Sequence, residues 1–308
     1  MDALADVLSA ARLGGAVFAR TTPRAPWGLS FEAAPMAGFH LVVRGSCYLK
    51  LEATQYSLEL HQGDLALVCH GSPHTICNPE RARPAPFSEI LARHVDPDAD
   101  LAFGGDGATT VLLCGGYNFA AGRSHPLRDI LPPLIHIRTA AASAGHDVSL
   151  VVELLTREVG SRGMGTATVT NRLVDALFVY VLRAWLEDQP EGTAGWLGAL
   201  RDPVIGRALS LLHNEPGHPW LVEDVARQVG MSRSGFAQRF LDLTGDTPGR
   251  YLSRLRTDRA AQLLRDTDDS ILHIAVEVGY ASEQALSKAF TRRYETAPGG
   301  YRRQHRGS

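Results

Sequence analysis

Two groups of side chains in this sequence are of types that could do chemistry. The first lies in the last third: Arg233, Ser234, Gln238 and Arg239, answered about fifty residues on by Glu283, Gln284, Ser287 and Lys288. A glutamine can pair with adenine through two hydrogen bonds, Lys or Arg favours guanine, and Glu accepts from cytosine, so these types suit the base edges of duplex DNA. Ser232, Ser282, Arg254, Arg256, Arg292 and Arg293 suit phosphate oxygens instead, because helix N-termini and flanking cations position a protein without reading sequence. The second group is His40, Cys69, His70, His74 and Cys114. Imidazoles and thiols of this kind can line a polar pocket for a small effector or sit satisfied in a core. His40 and His74 could also help hold a divalent metal such as zinc or iron, but a stable site needs three or four ligands.

Positioning the first group falls to a repeated pattern between Leu221 and Tyr301. Val222, Val225, Ala226 and Val229 recur at the spacing of one helical face, and Ile271, Ile274, Ala275 and Val278 repeat it. Each run is followed by a glycine suited to a left-handed helix end, Gly230 or Gly279, and then by a serine suited to cap the next helix, Ser232 or Ser282. The second helices match through Phe236 and Phe240 against Leu286 and Phe290, and Pro248, Gly249 and Tyr251 are answered by Pro298, Gly299 and Tyr301. The expectation is helix, tight turn, helix, twice. Such a unit lays its second helix in the major groove, which needs an apolar inner face and a polar outer one. Between the units, Thr247 and Pro248 open a helix expected to reach about Arg265. Eighteen residues give roughly 27 Å, enough to hold two recognition helices near one turn of duplex apart.

The second group falls in a stretch of different texture. His40 to Val43, Tyr48 to Leu51, Tyr56 to Leu60 and Leu65 to Cys69 read as strands separated by turn signals at Gly45-Ser46 and Gly63-Asp64, with Leu91 to Val95 and Thr110 to Cys114 continuing the series. Short strands at regular spacing suggest a small β-barrel or jelly roll. Before them, residues 1–35 combine a short helix (Leu4, Val7, Leu8) with a Pro- and Gly-rich approach. Helices are expected after Pro132-Pro133, at Leu150 to Val159 and Val169 to Leu186. The latter is apolar over most of its circumference, which calls for cover by the barrel, by a partner subunit, or by both. Gln189 to Gly198 is the best linker candidate.

These motifs carry two resemblances. Residues 203–306 resemble the DNA-binding domain of the AraC-type transcription regulators, on the segments Val222 to Ser232, Ile271 to Ser282 and Ala297 to Arg302. The resemblance puts Ser234, Gln238, Gln284 and Lys288 where base contacts are usually made. Glu295 departs from it, standing where the family has the glycine matched by Gly245, so the turn there is expected to differ in shape. Residues 36–120 are similar to the cupin barrels: Gly63, Gly71, His74 and Asn78 fit the second cupin motif, with Cys69 in place of its proline. That resemblance implies a metal-ligand position at His74, although the paired histidines of the first cupin motif are absent and His40 stands alone. The fold class expected is therefore two-domain, with an N-terminal cupin-like β-barrel followed by helices and an all-α C-terminal domain of two helix-turn-helix units joined by a long helix. Residues 1–188 are read as a sensor domain, its helical packing or dimerisation segment at about 134–188, residues 189–202 as a linker and 203–308 as the DNA-binding domain.

Composition is compatible with this reading. The chain has 308 residues, 44% hydrophobic and 21% charged, ordinary for a globular protein. Residues 203–308 carry 15 Lys and Arg against 12 Asp and Glu, while residues 1–202 carry 16 against 21. The sign suits a C-terminal half that faces nucleic acid. Met1 to Ala10 has no basic residue and the apolar run Ala176 to Leu182 is far short of a span, so neither a secretory signal nor a membrane segment is expected, and the expected address is cytoplasmic. The four cysteines have no CxxC spacing and read as buried thiols. The leading expectation is a regulator of transcription that binds duplex DNA and a small effector as a homodimer, with RNA polymerase as a further candidate partner and no catalytic residues. The alternatives are a metal-dependent cupin enzyme with an accessory helical domain, and a regulator that responds to oxidation of Cys69, Cys77 or Cys114.

Overall fold

Strands alternating apolar and polar residues need a second layer to bury their apolar face, and here two sheets supply it to each other. In a computed structural model, which describes residues 14–52, 56–93, 100–118, 131–138, 143–161, 163–189 and 196–306, the chain divides into two units, one ending at Gln189 and one formed from the residues beyond it. In the first unit, one five-stranded sheet runs in the order β1 (Gly14–Thr21), β9 (Val111–Asn118), β3 (Met36–Arg44), β6 (Asp64–Val68), β10 (Leu134–Arg138). The other runs β5 (Tyr56–His61), β4 (Ser46–Leu51), β7 (His74–Asn78), β2 (Trp27–Phe31), β8 (Ala85–Pro86). Val42, Ala66, Val68, Leu112 and Cys114 from the first sheet meet Trp27, Leu49, Leu60 and Ile76 from the second in one buried cluster. The strands expected to form a barrel are these two facing sheets.

The first sheet is buried on its other face as well, where Phe39, Leu41, Leu65, Leu67, Leu113, Tyr117 and Ile135 are inaccessible. The cover comes from α3 (Thr166–Glu187), which packs on β1 and β10 and on α2 (Ser143–Ser161). Phe178 lies 4.7 Å from the Tyr117 ring, whose hydroxyl donates to the carbonyl of Val174 at 3.0 Å. Burial on both faces explains why β6 reads as the unbroken apolar run Leu65-Ala-Leu-Val. Gly71 turns with φ 62° where an added Cβ would stand 2.0 Å from the carbonyl oxygen of Ala34, so only glycine fits this cupin-motif position.

Three expectations need correction. Leu91 and Ala92 end a helix, α1 (Phe87–Ala92), rather than opening a strand, and 94–99 lie outside the described residues. Pro132-Pro133 leads into strand β10 before any helix, because Leu134, Ile135 and Ile137 pair antiparallel with β6. The Pro-rich approach contains β1 and β2, whose Phe31 lies opposite His74. The short helix expected around Leu4 to Leu8 lies outside the described residues.

The second unit is helical: α4 (Trp196–Arg201), α5 (Pro203–Asn214), α6 (Val222–Gln228), α7 (Arg233–Thr244), α8 (Pro248–Asp266), α9 (Ile271–Glu277), α10 (Glu283–Tyr294) and α11 (Pro298–Arg306). Gly230 and Gly279 take φ 74° and 87° in the tight turns, and the Ser232 and Ser282 hydroxyls accept from the third residue of the following helix. The repeat is larger than its two helices. Tyr251 of α8 sets its ring edge against Phe240 at 5.4 Å, and Tyr301 of α11 does the same to Phe290 at 5.3 Å. The Tyr251 hydroxyl meets His213 Nε2 at 2.7 Å and the Tyr301 hydroxyl accepts from Arg265 at 2.5 Å. Each recognition helix is thus held from behind by the helix that follows it, tied to the helix that precedes the motif. Glu295 takes φ 56° and Gly245 φ 73°, each capping its helix through its own N–H, so the turn after α10 keeps the shape of its counterpart despite the missing glycine.

Candidate functional site

At about 100° per helical residue, the buried Phe236 and Phe240 fix which side chains of α7 point away from the core. Ser234 and Gln238 stand opposite them, with Leu241 and Asp242 beside. In α10 the same argument from Leu286 and Phe290 puts Gln284 and Lys288 outermost, with Thr291 and Arg292 beside them. Gln238 donates to Asp242 at 2.7 Å, and Arg233 pairs with Glu223 at 3.1 Å. Among the described residues, the side chains of Ser234, Gln284, Ser287, Lys288 and Arg292 have no hydrogen bond or ion pair. Glu283 is exposed in the first turn of α10. The two faces form a surface of donors and acceptors with few internal partners, the condition for reading base edges.

The remaining cations expected at DNA are occupied within the fold. Arg239 lies about 100° round α7 from Gln238, on the flank, where Nε and Nη2 donate to Asp202 Oδ2 at 3.1 and 2.5 Å. Arg293 Nε and Nη2 grip Asp258 of α8 at 3.0 and 3.3 Å, and the Tyr294 hydroxyl joins at 2.8 Å. Burial pushes the Asp258 carboxyl above its ordinary range even against the Arg293 charge. Arg256 donates to the carbonyls of Pro216 and His218, and Arg254 pairs with Asp246 while lying over the Tyr251 ring. Ser232 and Ser282 spend their hydroxyls on capping. Neither Asp202 nor Asp258 has a sequence signal: they meet their arginines across 37 and 35 residues.

In the first unit, the structure brings together three of the five candidate pocket residues. His40 stands opposite Cys114 in the β3 to β9 register and approaches it at 3.2 Å through Nδ1. Its Nε2 reaches across to the other sheet and meets His74 Nε2 at 2.8 Å, while His74 Nδ1 contacts the Ser72 carbonyl at 2.7 Å. A carbonyl only accepts, so His74 carries its proton on Nδ1 and accepts at Nε2. His40 then donates from Nε2 and accepts at Nδ1 from the Cys114 thiol. The result is one neutral chain, thiol to imidazole to imidazole to carbonyl. Burial, and for His40 also the His74 charge, lower both imidazoles below their ordinary value, and burial pushes the Cys114 thiol up to about 12. The Phe31 ring stacks on His74 at 4.8 Å with 6° between planes, and Phe87 stacks on Phe31.

Cys69 and His70 are directed elsewhere, to the carbonyls of Leu67 and Leu131. A zinc or iron ion does not fit this arrangement. Two nitrogens bound tetrahedrally at 2.0 to 2.1 Å stand roughly 3.3 Å apart, wider than the 2.8 Å hydrogen bond between the rings. Cys114 meets the far nitrogen of His40, Nδ1, and among the described residues no third His, Cys, Asp or Glu brings a ligand atom to the point where the two Nε2 atoms meet; the one group of three that could share an ion is Asp269, His273 and Glu277, in the other unit. All four cysteines are free and buried, and burial raises each thiol. Burial and a raised pKa both work against formation of the thiolate that an oxidant attacks.

Comparison with known proteins joins the two units. Residues 2–187 match the family described as Cupin, and residues 225–304 match the family described as Helix-turn-helix domain. The chain is 34% identical over 303 residues to an AraC-like transcription regulator of Streptomyces antibioticus, covering 98% of this chain and 99% of the relative. It is 33% identical to another from Streptomyces lividans, covering 98% of each. It is 30% identical over 317 residues to the HTH-type transcriptional regulator AlkR of Acinetobacter baylyi, covering 99% of this chain and 100% of that one.

Proposed function

Because the chain belongs to the AraC-type transcription regulators, with relatives matched along nearly its whole length, we propose that it reads duplex DNA with the outer faces of α7 and α10 in response to a small effector met by its N-terminal domain. Binding of DNA and regulation of transcription are what unite its relatives. The observation that carries the assignment of residues is the pair of polar outer faces, Ser234 with Gln238 and Gln284 with Lys288, set on helices whose backs are fully buried. Arg233, Glu283 and Ser287 flank the readers, Arg292 is the phosphate contact among the cations, and Ser232 and Ser282 offer helix N-termini to the backbone. α8, 19 residues and roughly 28 Å long, spaces the two readers for successive major grooves.

The domains run 1–188, 189–202 and 203–308 in sensor, linker and reader roles. The effector acts by binding one arrangement of the two domains more tightly than another, and the chain of Cys114, His40 and His74 is the polar feature of the sensor core it addresses. Leu150, Leu154 and Val169 are exposed on α2 and α3, which supports a homodimer formed through those helices. A cytoplasmic regulator of this type works beside RNA polymerase.

The test is selection of a preferred duplex from a random pool by the full chain, followed by fluorescence anisotropy on that duplex and on a scrambled one. Replacing Gln238 and Lys288 together by Ala should reduce discrimination at least tenfold, since each good bidentate contact is worth about 1–3 kcal/mol. Unchanged discrimination would remove these two from the reading set, and failure to enrich any duplex would end the DNA-reading assignment.

A further inference from the structure

Asp202 is the last residue before the helical reader domain and the first after α4, the helix by which the linker arrives. Its two carboxylate oxygens do different jobs. Oδ1 caps α5, accepting from the amides of Val204 and Ile205 at 3.0 and 2.9 Å. Oδ2 takes both Nε and Nη2 of Arg239, on the flank of the first recognition helix. The Asp202 side chain is 11% exposed while that of Arg239 is 49% exposed, so the anchor is the more shielded partner and the arm the more accessible one. α4 also packs directly against both α5 and α7.

Resting on the reading of α7 as a DNA-reading helix, we propose that Asp202 and Arg239 form a positioning pair that ties the first recognition helix to the incoming linker. The pair sets the helix's angle in the groove and makes it sensitive to displacement of the linker. Arg239 then acts through orientation, since its guanidinium is turned to the flank and saturates one carboxylate oxygen. Among the described residues the second recognition helix is clamped instead by Asp258, which sits within α8. Of the two readers, the first is the one to which the linker speaks.

Asp202→Asn tests this cleanly, because asparagine remains a good helix cap, and with its one oxygen on the amides of Val204 and Ile205 it turns an NH2 donor, not an acceptor, toward the Arg239 guanidinium. Arg239→Met removes the other partner and leaves the cap untouched, so it carries the test should the Asp202 variant fold poorly. On a duplex selected by the unmodified full chain, each variant should lower discrimination about tenfold, and the double variant should be no worse than either single one. The slope of log affinity against log salt should not change in Arg239→Met, whereas a lost phosphate contact would reduce it by about 0.9. Hydrogen exchange supplies a readout that a passive structural role would not move. In the unmodified chain, adding the selected duplex should slow exchange of the amides of Trp196–Arg201, by the reciprocity of coupled sites, and in either variant it should not.

Loss of specificity at a single base pair in Arg239→Met with no effect of Asp202→Asn would overturn the proposal in favour of direct reading. Variants that leave discrimination and exchange unaltered would overturn it as well. If the unmodified chain selects no duplex, it is the DNA-reading assignment that falls.

Discussion

Arg293 had the composition of a phosphate contact, and its replacement separates that role from the one its geometry gives it. Arg293→Met keeps the length of the side chain and removes the charge from beside Asp258, whose carboxylate is 10% exposed against 25% for the arginine. What remains is a carboxylate with the Tyr294 hydroxyl at 2.8 Å as its nearest donor. Stripping one partner from a buried ion pair costs about 3–5 kcal/mol, because the other charge stays desolvated. The retained tyrosine and the option of protonation place the expected loss at the low end, about 3 kcal/mol at pH 7.

The pH dependence has a definite sign. Burial already raises the Asp258 carboxyl in the folded chain, and removing Arg293 raises it further. A carboxyl raised in the folded state contributes stability below its unfolded value, about 3.9, and loses it as pH rises through the folded value. The deficit of Arg293→Met should therefore shrink between pH 7 and pH 5. The assay is native-state hydrogen exchange at the buried residues of α10, which reports the opening free energy of this unit without assuming that the whole chain unfolds in one step. Asp258→Asn with Arg293→Met should recover much of the loss, since it is the unpaired charge that is costly. A variant of unchanged stability whose DNA affinity has a salt slope lower by about 0.9 would refute the reasoning and restore Arg293 to the phosphates.

Glu295 occupies a left-handed cap, at φ 56°, that costs a non-glycine residue about 1–2 kcal/mol. Glu295→Gly should stabilise the reader domain by up to about 1 kcal/mol, and Gly245→Ala, with open space at its Cβ, should destabilise it by a similar amount through backbone strain alone, both read from thermal midpoints. In the N-terminal domain, His40 and His74 have folded-state values depressed by burial, so the unfolded chain takes up protons as pH falls below about 6.5, and stability present above that value is lost toward acid. Urea midpoints of the N-terminal domain should fall between pH 7.5 and 5.5, and His40→Gln with His74→Gln should flatten that slope; a slope that persists undiminished would place the acid sensitivity elsewhere.

The reader domain was legible because helical periodicity is local: four apolar residues in eight positions, a glycine and a serine identify each motif without reference to distant chain. Its clamps were not, since Asp202 to Arg239 and Asp258 to Arg293 are chosen by packing across more than thirty residues. The same distinction governs the N-terminal domain. His40 and His74 stood out as residue types, yet their meeting depends on two sheets facing each other, and the partnership of His40 with Cys114 depends on a strand register across 74 residues. Local composition also misled. Prolines 23, 26 and 35 disguised β1 and β2, and the run of prolines at 132 and 133 read as a boundary to helix when it served as an entry to β10.

The two clamps also divide the labour between the readers. Asp246, just past the cap of α7, takes Arg250 and Arg254 from α8, and Asp258 of the same helix takes Arg293 from α10. α8 is therefore bound by carboxylate and arginine at both of its attachments, and the spacing of the two recognition helices is fixed by a single rigid element. Against that fixed spacing, the tie from Asp202 to Arg239 reaches outside the rod, to the residue where the linker ends. Under the proposed tie, a signal passed along residues 189–202 would meet α7 before it meets α8. If α7 and α10 read DNA as proposed, its first effect should fall on the half of the site assigned to Ser234 and Gln238, with the half assigned to Gln284 and Lys288 serving as the anchor. Footprinting of the bound duplex, compared between the unmodified chain and Asp202→Asn, should show protection lost at the first half while the second is retained. Loss spread evenly over both halves would mean that the rod, not the linker tie, orients the first reader.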